Sequence, residues 1–287
     1  MMIGLSSPSQ FMTKNEISFL PMHFLQAINN DEFELYYQPL LNLVTGKFEA
    51  LEALIRWNHP TRGLLFPADF LPQAEKLGMM TLISKWVLTA TCKQLQVWQQ
   101  VGLSPIRVAV NVTGDEFREK DFVDFVTQTL QDYQVPPTSV ELELSENIII
   151  NDDETHVLDT LTQLQQSGIQ ITLDDFGTGY TSLSLLRKLP VDRIKIDKSF
   201  IDHISTKAKD AVFVKAIINF ATHLGIQVLA EGVECVKQLQ TLLSYDCHEV
   251  QGEFLSLPLA SKEVASFLIV HQNTPFQNGK FLYDVKS

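Results

Sequence analysis

Apolar and polar positions alternate in two registers along this chain. Short runs with period two or continuous apolar character end in a polar residue, and most are followed by a stretch with helical spacing. The strand-like runs are 48–57 (FEALEALIRW), 106–111, 139–144, 169–175, 192–197, 226–231 and 247–252. Helical patterns lie near 68–100, 115–132, 153–167, 181–188, 208–224, 233–244 and 261–270. Pro67 before the first helix, Gly102 after it, and Gly168 and Gly225 at later ends supply start and stop signals. Ahead of these units, 21–30 reads as a short helix ending at Asn29-Asn30, and 33–38 as a strand ending in Gln38-Pro39. The Thr45-Gly46 turn makes that strand and the next a hairpin, and so predicts one antiparallel strand near the N-terminus.

Strands alternating with helices predict an α/β fold with a mostly parallel sheet and helices outside. Seven or eight such units in about 250 residues fit a modified TIM (β/α)8 barrel better than an open sheet. There is no internal repeat and no Pro/Gly/Ser-rich linker, so a single domain is expected over 21–271. Residues 1–20 read as a flexible leader and 272–287 as a C-terminal tail without periodicity.

At 287 residues and 45% apolar, the chain can bury a large core. A formal charge of −12 argues against a polymeric nucleic-acid partner, which needs a basic face. A small anionic ligand remains open if local cations reverse the field. Cys92, Cys235 and Cys247 are too few and too scattered for a disulfide framework or a thiolate zinc site, and read as buried thiols in a reducing compartment. No apolar run reaches the ~18–20 residues of a membrane span, and no signal-peptide pattern opens the sequence. The expectation is a soluble, cytoplasmic protein without a membrane segment.

Chemistry concentrates at the strand ends. Glu52, Asn111, Glu143, Asp174-Asp175, Lys195, Glu231 and Gln251 stand there, separated by 59, 32, 31, 20, 36 and 20 residues. In a barrel the C-terminal ends of parallel strands share one mouth, so these residues would converge. Five carboxylates crowded together must either protonate or bind cations. Oxygen donors with one amide suit hard divalent ions such as Mg²⁺ or Mn²⁺. Two such ions roughly 3.5–4 Å apart are a recurrent device for phosphodiester hydrolysis. Taken singly, a strand-end Glu is more often a cap or surface residue, Asp174–Gly179 a tight turn, and Lys195 a solvated charge; their joint placement carries the argument. Alternation also turns Glu141 inward with Glu143, and Arg107 inward with Asn111, so both need partners, which pairing across neighbouring strands would supply.

Glu52-Ala53-Leu54 followed by Ile55-Arg56-Trp57 resembles the signature of the EAL family. So do Tyr37-Gln38-Pro39, Val110-Asn111-Val112, Glu143-Leu144-Ser145-Glu146, Asp174 to Ser182, Lys195-Ile196-Asp197, Ala230-Glu231-Gly232-Val233-Glu234 and Gln251-Gly252. These eight motifs stand in family order over roughly residues 25–270. The resemblance implies hydrolysis of the bacterial second messenger cyclic di-GMP, which governs biofilm and motility, to linear pGpG with two Mg²⁺ or Mn²⁺ ions. It implies Glu52, Asn111, Glu143, Asp174, Asp175 and Glu231 as metal ligands, with Asp175 between the ions. Lys195 matches the lysine that orients or deprotonates the attacking water, and Gln251 the glutamine that holds water beside the metal. Gln38, Leu54, Arg56, Gly232 and Glu234 match substrate-binding positions, Arg56 on phosphate and Gln38 on guanine. Glu146 matches the latch of the loop from Phe176 to Ser182, which in the family couples dimerisation to activity. The resemblance further implies a homodimer and allows an unidentified regulatory protein partner. The alternative is a catalytically silent receptor or interaction module that binds the dinucleotide or a protein. Ser145 and Thr181 swap hydroxyl residues relative to the family pattern. Glu253 stands where an aromatic residue is usual, and either alters guanine packing or faces solvent.

Overall fold

The computed structural model describes residues 19–272, apart from 104, 152 and 180–182, together with the backbone of 276–277 and 280–281. Eight strands close into a barrel: β1 (Phe33–Asn42), β2 (Lys47–His59), β3 (Arg107–Val112), β4 (Val140–Ser145), β5 (Gln170–Phe176), β6 (Arg193–Ile196), β7 (Gln227–Ala230) and β8 (Glu249–Val250). Strands β2 to β8 run parallel. Strand β1 is antiparallel to both β2 and β8 and closes the ring between them. This is the modified TIM barrel and single domain expected from the alternation, with the antiparallel strand of the N-terminal hairpin in place; Gly63–Leu65 and Leu259–Ala260 add antiparallel pairings to β2 and β1 outside the ring.

Strand β1 runs on through Pro39 to Asn42, further than the sequence suggested, and its pairing with β2 slips at a bulge between Leu40 and Leu41. The helix expected over 68–100 divides into Pro67–Lys76 and Met80–Gln100. Gly78 holds φ +67° between them, and this left-handed residue closes the first helix. The 115–132 pattern likewise splits into Gly114–Phe117 and Phe122–Asp132. The short helices Glu146–Asn151 and Lys198–Ile201 stand where the sequence pattern predicts none. Both are shorter than two turns, too brief to show a helical period.

The main core lies between barrel and helices, where Val108, Val110, Ile171, Leu173, Ile194, Ile196 and Val228 point outward. At the N-terminal side, Phe19 stacks 4.6 Å from Trp57, ring centre to ring centre, and joins this core. The packed body therefore begins inside the stretch expected as a leader; residues 1–18 lie outside the described residues. Of the expected tail, the described backbone pairs Phe276 with Phe281. Cys92 and Cys247 are buried as expected, but Cys235 is exposed, because it caps the start of the helix Val236–Ser244 outside the core.

The barrel interior is layered. Its floor holds an ion network: Arg107 Nε lies 2.6 Å from Glu141 Oε2, Arg193 pairs with Glu141, and Arg193 Nη2 sits 2.9 Å from Glu249 Oε2. The inward Arg107 and Glu141 thus partner each other across adjacent strands, and Arg193 and Glu249 complete the ring. Leu40, Ala50 and Leu229 form a small apolar cluster beside it. Among the described residues, no helix is long and apolar enough to cross a membrane.

Candidate functional site

The polar strand-end residues meet at the C-terminal mouth. Lys195 is the centre: its Nζ lies 3.2 Å from Glu52 Oε2, 3.3 Å from Glu143 Oε2, 3.7 Å from Asp174 Oδ1 and 3.8 Å from Glu231 Oε2. These groups come from β2, β4, β5, β6 and the end of β7, so the barrel brings together residues up to 179 positions apart. Asn111, from β3, donates to Glu52 Oε1 at 3.1 Å. Gln251, just past β8, donates to Glu52 Oε2 at 2.6 Å.

Two adjacent strand residues ordinarily face opposite ways. At Asp174-Asp175 the ladder between β5 and β6 is irregular from Leu173 to Phe176 and Asp175 takes φ +55°. The Asp175 N–H then donates to Asp174 Oδ1 at 2.8 Å. Left-handed backbone at a non-glycine residue costs energy, and Asp is among the residues that tolerate it best.

The electrostatics follow from the crowding. Burial drives Glu52 upward, but Lys195 and the hydrogen bonds from Gln251 and Asn111 outweigh it and hold the carboxyl below its ordinary value. Glu143 has no such surplus: burial, with repulsion from Glu52, Asp174 and Glu141, lifts it well above the carboxylate range despite Lys195. Burial also raises Asp174, with Glu52 adding to it, and pushes Glu231 to about 7. Asp175 is raised by burial and by its neighbours Asp174 and Asp197. Lys195 pays for its own burial, yet Glu143, Glu52, Asp174 and Glu231 hold it well above an ordinary lysine.

One ammonium therefore faces an excess of carboxylates. Among the described residues, Glu143 Oε1 and Gln251 Oε1 are buried without a hydrogen-bond partner. Uncompensated oxygen donors of this kind fit hard divalent cations. Among the described residues, no three acids, histidines or cysteines are already set around a single ion position. The carboxylates are instead gathered about Lys195.

Around this cluster stand the other expected residues. Gln38 Oε1 accepts from Gln251 Nε2 at 2.9 Å, and Gln38 Nε2 donates to the Ser256 carbonyl at 3.1 Å. Leu54 and Asn111 line a cavity of about 530 Å³ together with Met80, Asp115 and Arg118. The Arg56 guanidinium is buried between two rings, 5.4 Å from the centre of Tyr36 and 5.0 Å from that of Phe66. Glu146 Oε2 accepts from the Gly179 N–H at 2.8 Å, tying the segment after Asp175 to the start of the helix Glu146–Asn151. Gly232 lies against the Lys198 side chain, and Glu234 pairs with Lys198 rather than with the carboxylate cluster. Glu253 is exposed, and an aromatic ring appears one position later in Phe254, 41% exposed.

Sequence reasoning missed Tyr36, Phe66, Lys198 and the Ser256 carbonyl. Period-two alternation places Tyr36 on the face of Gln38 and could have found it. A backbone carbonyl leaves no mark in a sequence, and Phe66 and Lys198 sit at helix starts whose placement needs the fold.

The EAL domain matches residues 23–258 of this chain. The signalling protein YkoW of Bacillus subtilis is 40% identical over 85% of the chain and 30% of its own length. The cyclic di-GMP phosphodiesterase NbdA of Pseudomonas aeruginosa is 41% identical over 85% of the chain and 31% of its own length. The chain thus spans about a third of these two relatives. Among solved structures, the PaMucR phosphodiesterase in complex with c-di-GMP superposes with a TM-score of 0.80 at 36% identity, covering 85% of this chain and 98% of that one.

Proposed function

The chain belongs to the EAL domain family, and on that premise we propose that it is a phosphodiesterase that hydrolyses cyclic di-GMP to linear pGpG. The observation that supports this reading best is the gathering of Glu52, Glu143, Asp174 and Glu231 around Lys195 at one barrel mouth. In this reading Glu52, Asn111, Glu143, Asp174, Asp175 and Glu231 hold two Mg²⁺ or Mn²⁺ ions. Such ions, when bound, lower the pKa of an attacking water and offset charge on the phosphate.

The protein's own groups do the rest. Lys195, its Nζ 3.2 Å from Glu52 and 3.3 Å from Glu143, donates hydrogen bonds and orients the nucleophile. Arg56 binds phosphate, its planar fork held over the rings of Tyr36 and Phe66. The cavity beside Leu54 and Asn111 receives part of the dinucleotide. Gln38, Gly232 and Glu234 meet the bases, Glu234 while one of its oxygens pairs with Lys198. Gln251 holds a proton-bearing group at its unpartnered Oε1. Glu146 fixes the loop after Asp175 through the Gly179 N–H. The reading includes a homodimer in the cytoplasm, with the loop as the element through which a partner tunes activity.

Purified protein with Mg²⁺ or Mn²⁺ should convert cyclic di-GMP to pGpG by chromatography, chelator should stop it, and Glu52→Ala should abolish it. Absence of turnover across both metals would defeat the reading. Tight binding of the dinucleotide without turnover would make the protein a receptor. Sedimentation of an active monomer would remove the homodimer.

A further inference from the structure

The hydrogen bonds around Gln251 have only one consistent direction. At one end the Ser256 carbonyl can only accept, so the Gln38 amide must present its NH2 there, and does so at 3.1 Å. Gln38 Oε1 therefore faces Gln251 and accepts from its Nε2 at 2.9 Å. The second N–H of the same Gln251 nitrogen goes to the Glu52 carboxylate at 2.6 Å. Flipping either amide would set oxygen against oxygen or NH2 against NH2. Both Gln251 donors are then consumed. Its Oε1, in a residue 1% exposed, is left buried and without a partner among the described residues.

We infer that Gln38 is a positioning residue: through Gln251 it fixes the rotamer of Glu52 and aims a bare amide oxygen into the cation site. This rests on the proposed reading of the mouth as a divalent-metal site, and gives Gln38 a duty beyond contact with a base. The Gln38 nitrogen has two hydrogens and spends one on Ser256, so the other stays available to a ligand. The aimed Gln251 oxygen suits a group that carries protons, such as water or a leaving hydroxyl. It does not suit a phosphate oxygen, which would repel it. The chain runs Ser256, Gln38, Gln251, Glu52, so a segment after β8 orients a carboxylate on β2 by way of β1.

A base-contact role alone and the positioning role separate on probes that contain no base. Gln38→Met keeps length and removes both hydrogen bonds. Mn²⁺ binding would be followed by titration calorimetry without substrate, and turnover with bis(p-nitrophenyl) phosphate and with cyclic di-GMP. Groups that orient metal ligands are worth about 10- to 100-fold in affinity, so Gln38→Met should weaken Mn²⁺ binding by about tenfold. It should also lower turnover of both substrates. Adding Gln38→Met to Gln251→Ala should cost nothing further on Mn²⁺ or on bis(p-nitrophenyl) phosphate, because the pair acts in series. Gln38→Leu should repeat the result, and melting curves would show each variant folded. A Gln38→Met protein with unchanged Mn²⁺ affinity and only a raised KM for cyclic di-GMP overturns the inference and leaves the phosphodiesterase reading standing. Conversely, wild type that binds Mn²⁺ and cleaves only the nitrophenyl ester defeats the substrate reading while the Mn²⁺ arm still decides the role of Gln38. Wild type that binds no Mn²⁺ overturns both.

Discussion

Replacing Arg193 with methionine should destabilise the barrel by about 3–5 kcal/mol, the cost of leaving a buried charge without its partner. Arg193 is 1% exposed and lies between Glu141, fully buried, and Glu249, 3% exposed. It pairs with both, and its Nη2 also donates to Gln227 Oε1 at 3.2 Å. Without it, two carboxylates share Arg107, which lies 2.6 Å from Glu141 but 3.4 Å from Glu249. Glu249 is therefore the group left exposed to the penalty. Adding Glu249→Gln restores neutrality and keeps the closer Arg107–Glu141 pair, so the double variant should recover about 2 kcal/mol over Arg193→Met. Arg107→Ala should cost less, about 1–2 kcal/mol, because Arg107 is partly exposed and water can replace some of its contacts. Urea unfolding at neutral pH measures all three, with an unchanged slope as the check that the comparison is of stability alone. An Arg193→Met protein within about 1 kcal/mol of wild type would refute the reasoning. So would a double variant less stable than the single one.

Three other outcomes follow from the same structure. Burial pushes Glu116 from 4.5 to about 7, against the opposing hydrogen bonds from Ser84 and Thr113 and the charge of Lys85. The fold thus favours its protonated form, and that stability is present below about 4.5 and lost as pH rises through about 7. Glu116→Gln should accordingly gain on wild type across this window and level off above it, by roughly 3 kcal/mol at about 1.4 kcal/mol per pH unit; melting curves from pH 4 to 8 showing no growing gap would contradict it. Glu143→Gln should raise the melting temperature of chelator-treated protein at neutral pH, since Glu143 is raised by burial and like charge, while removing cyclic di-GMP turnover; a lower melting temperature without metal would count against the crowding. Gly252→Ala should lose several kcal/mol of stability, because its Cβ would fall 2.2 Å from the Val233 carbonyl oxygen, a backbone atom that cannot swing away; circular dichroism melting indistinguishable from wild type would show the two segments free to part.

The sequence by itself determined the barrel and the identity of most of its mouth. Period-two runs such as 139–144, each closed by a polar residue and followed by helical spacing, are local signals. They survive because a parallel strand must bury both faces and a following helix must cover one of them. The antiparallel β1 was legible from the Thr45-Gly46 turn for the same local reason. Helix breaks were less legible: the split at Gly78 depends on one left-handed residue that a long apolar pattern runs across. The tertiary structure alone decided which inward groups touch. Glu141 and Glu143 look alike in sequence, two inward glutamates on one strand. One pairs with arginines in the floor, and the other, a layer higher, meets Lys195 among rival carboxylates. That assignment rests on the register between β4, β5 and β6, and on the irregular ladder at Asp174 and Asp175. The line from Ser256 to Glu52 was equally hidden, because it joins three distant segments through a backbone carbonyl and two amides. Hydrogen-bond direction is a property of atoms brought together by closure of the barrel, and no spacing along the chain encodes it.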